Sequence, residues 1–216
     1  MSIEGDRFRE SVTRVILEKK PKAIIETGTY LGAGSTMVAA KALAGLKREY
    51  RMYTIEANPA FAAVAERNLR EFSSVVVLRG MSLPKAMLPD EEKLRSWLEL
   101  MANEDVYVDF EEHERVQCYL QECRWNVPDD MLRICMKVFG YRADMFILDS
   151  AGHLGWEEFN HIISLQEGPC VFVLDDTLHV KHFRSLRTIK SDRRFAVIEE
   201  SEEKFGFCIA EYNPEG

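Results

Sequence analysis

The stretch IIETGTYLGAGST, residues 24–36, sets Glu26 two positions ahead of the first of three glycines, Gly28, Gly32 and Gly34. Glycines between an apolar run and a helix let a backbone approach a bound molecule closely. Their spacing is G-x-x-x-G-x-G, not the G-x-G-x-x-G of dinucleotide-binding turns, and a pyrophosphate would be repelled by the neighbouring carboxylate. A ligand carrying an ammonium would be attracted instead. A carboxylate on the same ligand would be favoured by the N-terminus of the following helix, which Ser35 opens. Further along, YTIEANP ends a second apolar run on Glu56, the place where a ribose diol meets an acidic acceptor. Together the two positions suit a zwitterion joined to a nucleoside, which is the chemistry of S-adenosylmethionine.

A second group lies later in the chain. Asp149 in FILDSAGH and Asp175 and Asp176 in FVLDDTLHVKH close two further apolar runs. If those runs are neighbouring strands, three carboxylates converge, and their repulsion must be relieved by raised pKa values or by a cation. An oxygen-only donor set favours Mg²⁺, Mn²⁺ or Ca²⁺ over zinc. The alternative is that Asp175 or Asp176 caps the next helix. His153, just beyond the same runs, is a candidate general base, because an imidazole near neutral pKa accepts a hydroxyl proton, and His179, Lys181 and His182 are further candidates. Lys181, Arg184, Arg187 and Lys190 either bind an anionic substrate or form the solvated face of a helix. His113 and His161 read as structural, and Trp97, Trp125 and Trp156 as core or interface aromatics.

These residues need a scaffold that brings strand ends together, and the pattern supplies one. KAIIET, RMYTIEA, SSVVVLRG, DMFILDS and CVFVLDD are short apolar runs without polar alternation, which suits parallel strands covered on both faces. Helices fall between them: STMVAAKALAGL follows the glycine turn, and PAFAAVAERNLREF starts with Pro59 at its first position. RFAVIEE and FGFCIAEY lie close together and predict an antiparallel hairpin across SEEK. The expected fold is α/β, a doubly wound, mostly parallel seven-stranded sheet in one domain spanning residues 1–216. Residues 84–142 interrupt the rhythm and predict a helical insertion between strands three and four, with Leu94, Trp97, Leu98 and Met101, then Val116, Tyr119, Leu120 and Cys123, at helical spacing and Pro128 opening another helix. Extra packing, an oligomer surface and a lid over a substrate pocket are the readings of this insertion.

Composition narrows the partners. With 28 Lys and Arg against 36 Asp and Glu, the net charge of −8 disfavours a nonspecific nucleic-acid binder, which needs a positive field to release counterions. The charged start MSIEGDRFRE and the absence of an apolar run of membrane-spanning length predict a cytoplasmic protein without a membrane partner. Cys118, Cys123, Cys135, Cys170 and Cys208 show neither a C-x-x-C pair nor zinc spacing and are expected as reduced thiols.

Glu26-x-Gly28-x-Tyr30-x-Gly32, then YTIEANPAFAAVAERNL, RGMS, DMFILD and VFVLDD, resemble the ordered motifs of class I S-adenosylmethionine-dependent methyltransferases, in particular the catechol O-methyltransferase-like and macrocin-type groups. The likeness covers residues 21–89 and 143–183 and leaves the insertion out. It implies a Rossmann-like methyltransferase fold, with Glu26, Gly28, Tyr30, Gly32 and Ser35 around the methionyl part of the cofactor, Glu56 on the ribose, Ser82 near the adenine and Asp149 beside both cofactor and acceptor. It further implies that Asp149, Asp175 and Asp176 hold Mg²⁺ or a similar metal that binds the hydroxyl of a small-molecule acceptor. The catechol-type lysine base, three residues past the first metal aspartate, is replaced by Gly152, followed by His153, and Asp176 stands where catechol enzymes carry asparagine. A metal-independent enzyme with His153 as base, and a cofactor-binding assembly protein without turnover, are the alternative readings.

Overall fold

In the computed structural model, which describes residues 6–101, 106 and 112–216, the apolar runs become β1 (Ala23–Thr27), β2 (Arg51–Glu56), β3 (Val75–Arg79), β4 (Met145–Leu148) and β5 (Cys170–Asp175). All five pair in parallel. The hairpin expected at the C-terminus is β6 (Phe195–Ser201) with β7 (Phe207–Tyr212), and β7 joins the sheet antiparallel to β5. The strand order is β3-β2-β1-β4-β5-β7-β6, so the winding reverses between β1 and β4. In open sheets of this kind ligands sit at the carboxyl ends of the strands at that reversal.

Successive side chains along a strand face opposite layers. Ile24, Met52, Met145, Ile147 and Val173 therefore pack toward α1 (Asp6–Lys19), α2 (Ser35–Gly45) and α3 (Pro59–Asn68), through residues such as Val12, Ile16, Leu43 and Ala65. Ile25, Ile55, Phe146, Leu148 and Phe172 pack toward α6 (Met131–Val138), α7 (Gly155–Leu165) and α8 (Phe183–Ser191). A fully buried aliphatic or aromatic side chain of this kind contributes about 1.5–3 kcal/mol, and both layers hold many. No helix among the described residues is long and apolar enough to cross a membrane.

Between β3 and β4 lie α4 (Glu91–Met101), α5 (Glu112–Glu122) and α6. They divide into two parts. Leu94, Trp97, Leu98, Val116 and Tyr119 form a small separate core with Val180 from the β5–α8 connection. The Arg184 guanidinium lies 4.3 Å from the Trp97 ring and 5.0 Å from the Trp156 ring, tying α4 to α7 and α8. Arg184 is thus a packing residue, not part of a solvated helix face. α6 instead belongs to the sheet-covering layer and acts as the crossover helix. Pro128 does not open it. Its carbonyl accepts from Met81 N at 2.8 Å, and the helix starts after Asp130, whose left-handed φ of 54° turns the chain.

Candidate functional site

A cavity of about 460 Å³ opens at the carboxyl ends of β1, β2, β4 and β5. On one side it is bounded by the turn after β1 and by Glu56, on the other by Asp149, Asp175 and Asp176. Gly28, Tyr30, Ser35, Glu56, Ser82, Asp149, His153, Asp175 and Asp176 all line it. Glu26, Gly32 and His179 do not.

Glu56 is held from both sides. One carboxylate oxygen accepts from the backbone N–H of Tyr30 at 2.7 Å and the other from that of Asn58 at 2.8 Å. Burial raises its pKa and these donors oppose the rise. Capping of α3 falls to Asn58, whose side chain accepts from the N–H groups of Ala60 and Phe61, so Glu56 is not the cap. Tyr30, at φ 50°, supplies its backbone to Glu56 while its ring lies edge-on to Phe61 at 4.7 Å.

Glu26 points the other way. It shares the parity of Ile24 and is fully buried beneath the turn, where Oε2 accepts from Thr36 and Thr54 hydroxyls at 2.6 Å each. Oε1 has no hydrogen-bond partner. Burial pushes its pKa up to about 7 against those hydroxyl donors, with Asp149 adding repulsion. A raised carboxyl stabilises the fold fully below its unfolded value near 4.5, and that contribution is lost as pH rises through 7. Glu26→Gln should therefore remove about 3 kcal/mol of pH-dependent stability between pH 4.5 and 8. Urea unfolding of both chains across that range checks it, and parallel pH profiles would count against the assignment.

The glycines serve packing as much as ligand approach. A Cβ on Gly28 (φ 87°) would stand 2.0 Å from the Asp149 carbonyl oxygen, and one on Gly32 would stand 3.0 Å from Ala65 and Leu69 of the α3 layer. Gly32 thus makes room for a helix and does not line the cavity. Ser82 is committed as well: its hydroxyl donates to the buried Glu158, which also accepts from Thr27 at 2.8 Å and Ser150 at 2.6 Å. Glu158 lines the cavity and clamps the ends of β1, β3 and β4 together, a role the sequence pattern did not flag.

At the other end the three aspartates converge as expected, because Asp149 follows Leu148 and Asp175 follows Leu174, a paired couple on adjacent strands. One carboxylate oxygen from each lies within 4.8 Å of the others. Asp149 accepts from Ser35 at 3.2 Å, and Asp176 adopts φ 55°. Among them stands a group read from sequence as a general base, part of a solvated helix face or an anion site. Lys181 precedes α8 and is buried, with Nζ 2.9 Å from Asp149 Oδ1 and 2.7 Å from Asp176 Oδ2. Burial would lower its pKa, but the aspartates outweigh it and raise the pKa well above the usual lysine value, so it is charged at neutral pH.

His153 is 1 % exposed, stacks on Tyr119 at 4.4 Å and places Nε2 3.6 Å from Cys123 Sγ. Burial lowers its pKa to about 3, which makes it a poor proton acceptor at neutral pH. Glu122 of α5, 3.7 Å from His153 Nδ1, is pushed up to about 7 by burial and by Glu56, and is the stronger base of the pair. His179 accepts from Lys181 N through Nδ1 at 3.2 Å and supports that loop from outside the cavity. His161 is structural, 2.8 Å from Asp130, and the His113 side chain lies outside the described residues. Trp125 lines the cavity beside Glu122 and Cys123, so the insertion forms part of the wall. All five cysteines are free thiols, with Cys135, Cys170 and Cys208 buried.

Comparison with solved structures gives the fold its place. An O-methyltransferase from Bacillus cereus in complex with SAH superposes with a TM-score of 0.58 at 16 % identity, covering 97 % of this chain and 82 % of that one. The O-methyltransferase TomG from Streptomyces achromogenes, in complex with SAM, gives 0.58 at 15 %, with 98 % and 82 % covered. The chain has the class I methyltransferase fold. The SAH-bound methyltransferase PaMTH1 of Podospora anserina shares it, with a TM-score of 0.56, 12 % identity and coverage of 98 % and 80 %. No protein-family model and no curated protein matches the sequence. At these identities the methyltransferase fold is what is held in common.

Proposed function

We propose that this chain is an S-adenosylmethionine-dependent methyltransferase acting on an oxygen of a small-molecule acceptor. The observation that carries the reading is the continuity of one cavity from Glu56 to Asp149, Asp175 and Asp176. Glu56 would hold the ribose hydroxyls: its carboxylate is fixed by backbone N–H groups, those of Tyr30 and Asn58 on opposite oxygens, and it lines the cavity. Asp149, not the buried Glu26, would meet the methionyl ammonium, since it faces the cavity and Glu26 does not. Glu56, Glu122, Asp149, Glu158, Asp175, Asp176 and Glu203 outnumber Lys181 and Lys204 around the space, which suits a cationic donor and opposes a diphosphate. When bound, the cofactor supplies an electrophilic methyl on a sulfonium. The chain's contribution is to position the acceptor against it, with Glu122 placed to take a proton and Trp125 to cover an apolar face. The expected metal assistance meets Lys181 in the middle of its donor set, and no step is assigned to a metal.

Transfer of a labelled methyl group from S-adenosylmethionine to a panel of phenols, sugars and other hydroxyl compounds tests the reading. Glu56→Ala is expected to weaken S-adenosylhomocysteine binding more than tenfold, at least about 1.4 kcal/mol. Unchanged affinity in that variant would remove the ribose assignment. Tight cofactor binding with no transfer across the panel would favour a non-catalytic assembly protein on the same fold.

A further inference from the structure

The residues around the three aspartates do not fit a divalent ion as an added guest. A metal bound to Asp149, Asp175 and Asp176 would lie a few ångströms from the Lys181 ammonium, which already contacts Asp149 and Asp176, and like charges at that separation in a buried site repel strongly. Lys181 is 4 % exposed, so solvent does little to screen it. Its seat is also shaped for it. Gly155, the first residue of α7, lacks the Cβ that would stand 2.6 Å from Lys181 Cγ and 2.7 Å from the Lys181 carbonyl oxygen. The Lys181 backbone N–H is tied to His179 Nδ1, and the buried His182 ring packs against the same glycine. Burial and the Lys181 charge depress the His182 pKa, so that ring is neutral and adds no competing cation. Around the ammonium therefore stand three carboxylates from two strand ends, the neutral His182 imidazole, and the more distant Glu158 held by three hydroxyls.

We propose that Lys181 is the resident cation of this site, standing among Asp149, Asp175 and Asp176 where a divalent metal would otherwise bind, and offering its remaining N–H to the acceptor oxygen. The acceptor clause rests on the methyltransferase reading; the exclusion of the metal does not. An ammonium has three N–H donors, two of which go to Asp149 and Asp176, and the side chain lines the cavity. The site then carries its own charge compensation at every stage of a binding cycle.

The test is manganese binding followed by electron paramagnetic resonance, together with melting temperatures in Mg²⁺ and in EDTA. The natural chain is expected to leave Mn²⁺ free at millimolar concentration and to melt at one temperature with or without Mg²⁺ or EDTA. Lys181→Gln, which removes the charge and keeps a polar chain of similar reach, is expected to bind Mn²⁺ at least tenfold more tightly and to be stabilised by Mg²⁺. Micromolar Mn²⁺ binding by the natural chain, lost in Asp149→Asn, would overturn the proposal. So would a folded Lys181→Gln that still ignores the ion. If that variant does not fold, the natural-chain measurement decides by itself. Neither readout needs S-adenosylmethionine, so failure here differs from failure of the methyltransferase reading, which would appear as absence of S-adenosylhomocysteine binding.

Discussion

Lys181→Met is expected to cost about 3 kcal/mol of folding stability at neutral pH, because it leaves three partly buried carboxylates without their buried counter-charge. The methionine fills most of the lysine's volume, so the loss measures charge more than packing. Asp149, Asp175 and Asp176 each have an oxygen within 4.8 Å of the other two, and the ammonium touches two of them. Asp175 already has a raised pKa, from burial first and then from repulsion by Asp149, with Lys181 opposing the rise. Without the lysine that opposition disappears. Carboxyl groups with raised pKa values favour the fold at low pH and lose that contribution as pH rises. The deficit of the variant should therefore be largest above neutrality and shrink on acidification, as read by urea unfolding at several pH values. A small, pH-independent loss would mean that the ammonium is not the electrostatic keystone of the cluster.

Gly28→Ala is the second large effect, about 2–4 kcal/mol. The native φ of 87° disfavours any L side chain, and the added methyl carbon would stand 2.0 Å from the Asp149 carbonyl oxygen and 2.7 Å from Ser150 N. Neither neighbour is a flexible tip; both are backbone at the end of β4. Relief requires the β1 turn and the Asp149 loop to separate, which also displaces the cavity wall, so weaker S-adenosylhomocysteine binding should accompany the loss. Gly45→Ala, at the end of α2 with nothing within 4 Å of its Cβ, serves as the neutral control. Equal melting temperatures for the two variants would contradict the close approach.

The fold was legible because its signals are local. Apolar runs such as MFIL and CVFVL can only be buried on both faces, and the hairpin strands sit too close for a crossover. Glu56 and the three aspartates were legible for a related reason, since a residue ending a parallel strand must emerge at the carboxyl edge of the sheet. Glu26 was misjudged where the same periodicity would have corrected it: two residues after the inward Ile24, it points under the turn toward Thr36. The sequence marks Lys181 as a candidate base or anion ligand, but its burial among the aspartates carried no such signal. A lysine six residues past Asp175 reads as surface until the loop is seen to fold back over Gly155, and burial of a charge depends on partners distant in sequence, here Asp149 at 32 residues. The insertion shows both sides of this limit. Its helical spacing was visible, but the division between a separate α4–α5 core and an α6 that covers the sheet is a matter of tertiary packing.

Whether the cavity is a seat for a sulfonium nucleoside is most directly decided by calorimetric titration of the natural chain with S-adenosylhomocysteine, run beside NAD and ADP. One saturable site for S-adenosylhomocysteine, with no heat from either phosphate compound, is the predicted result. Saturable binding of NAD or ADP, competing with nothing from the adenosyl series, would contradict it.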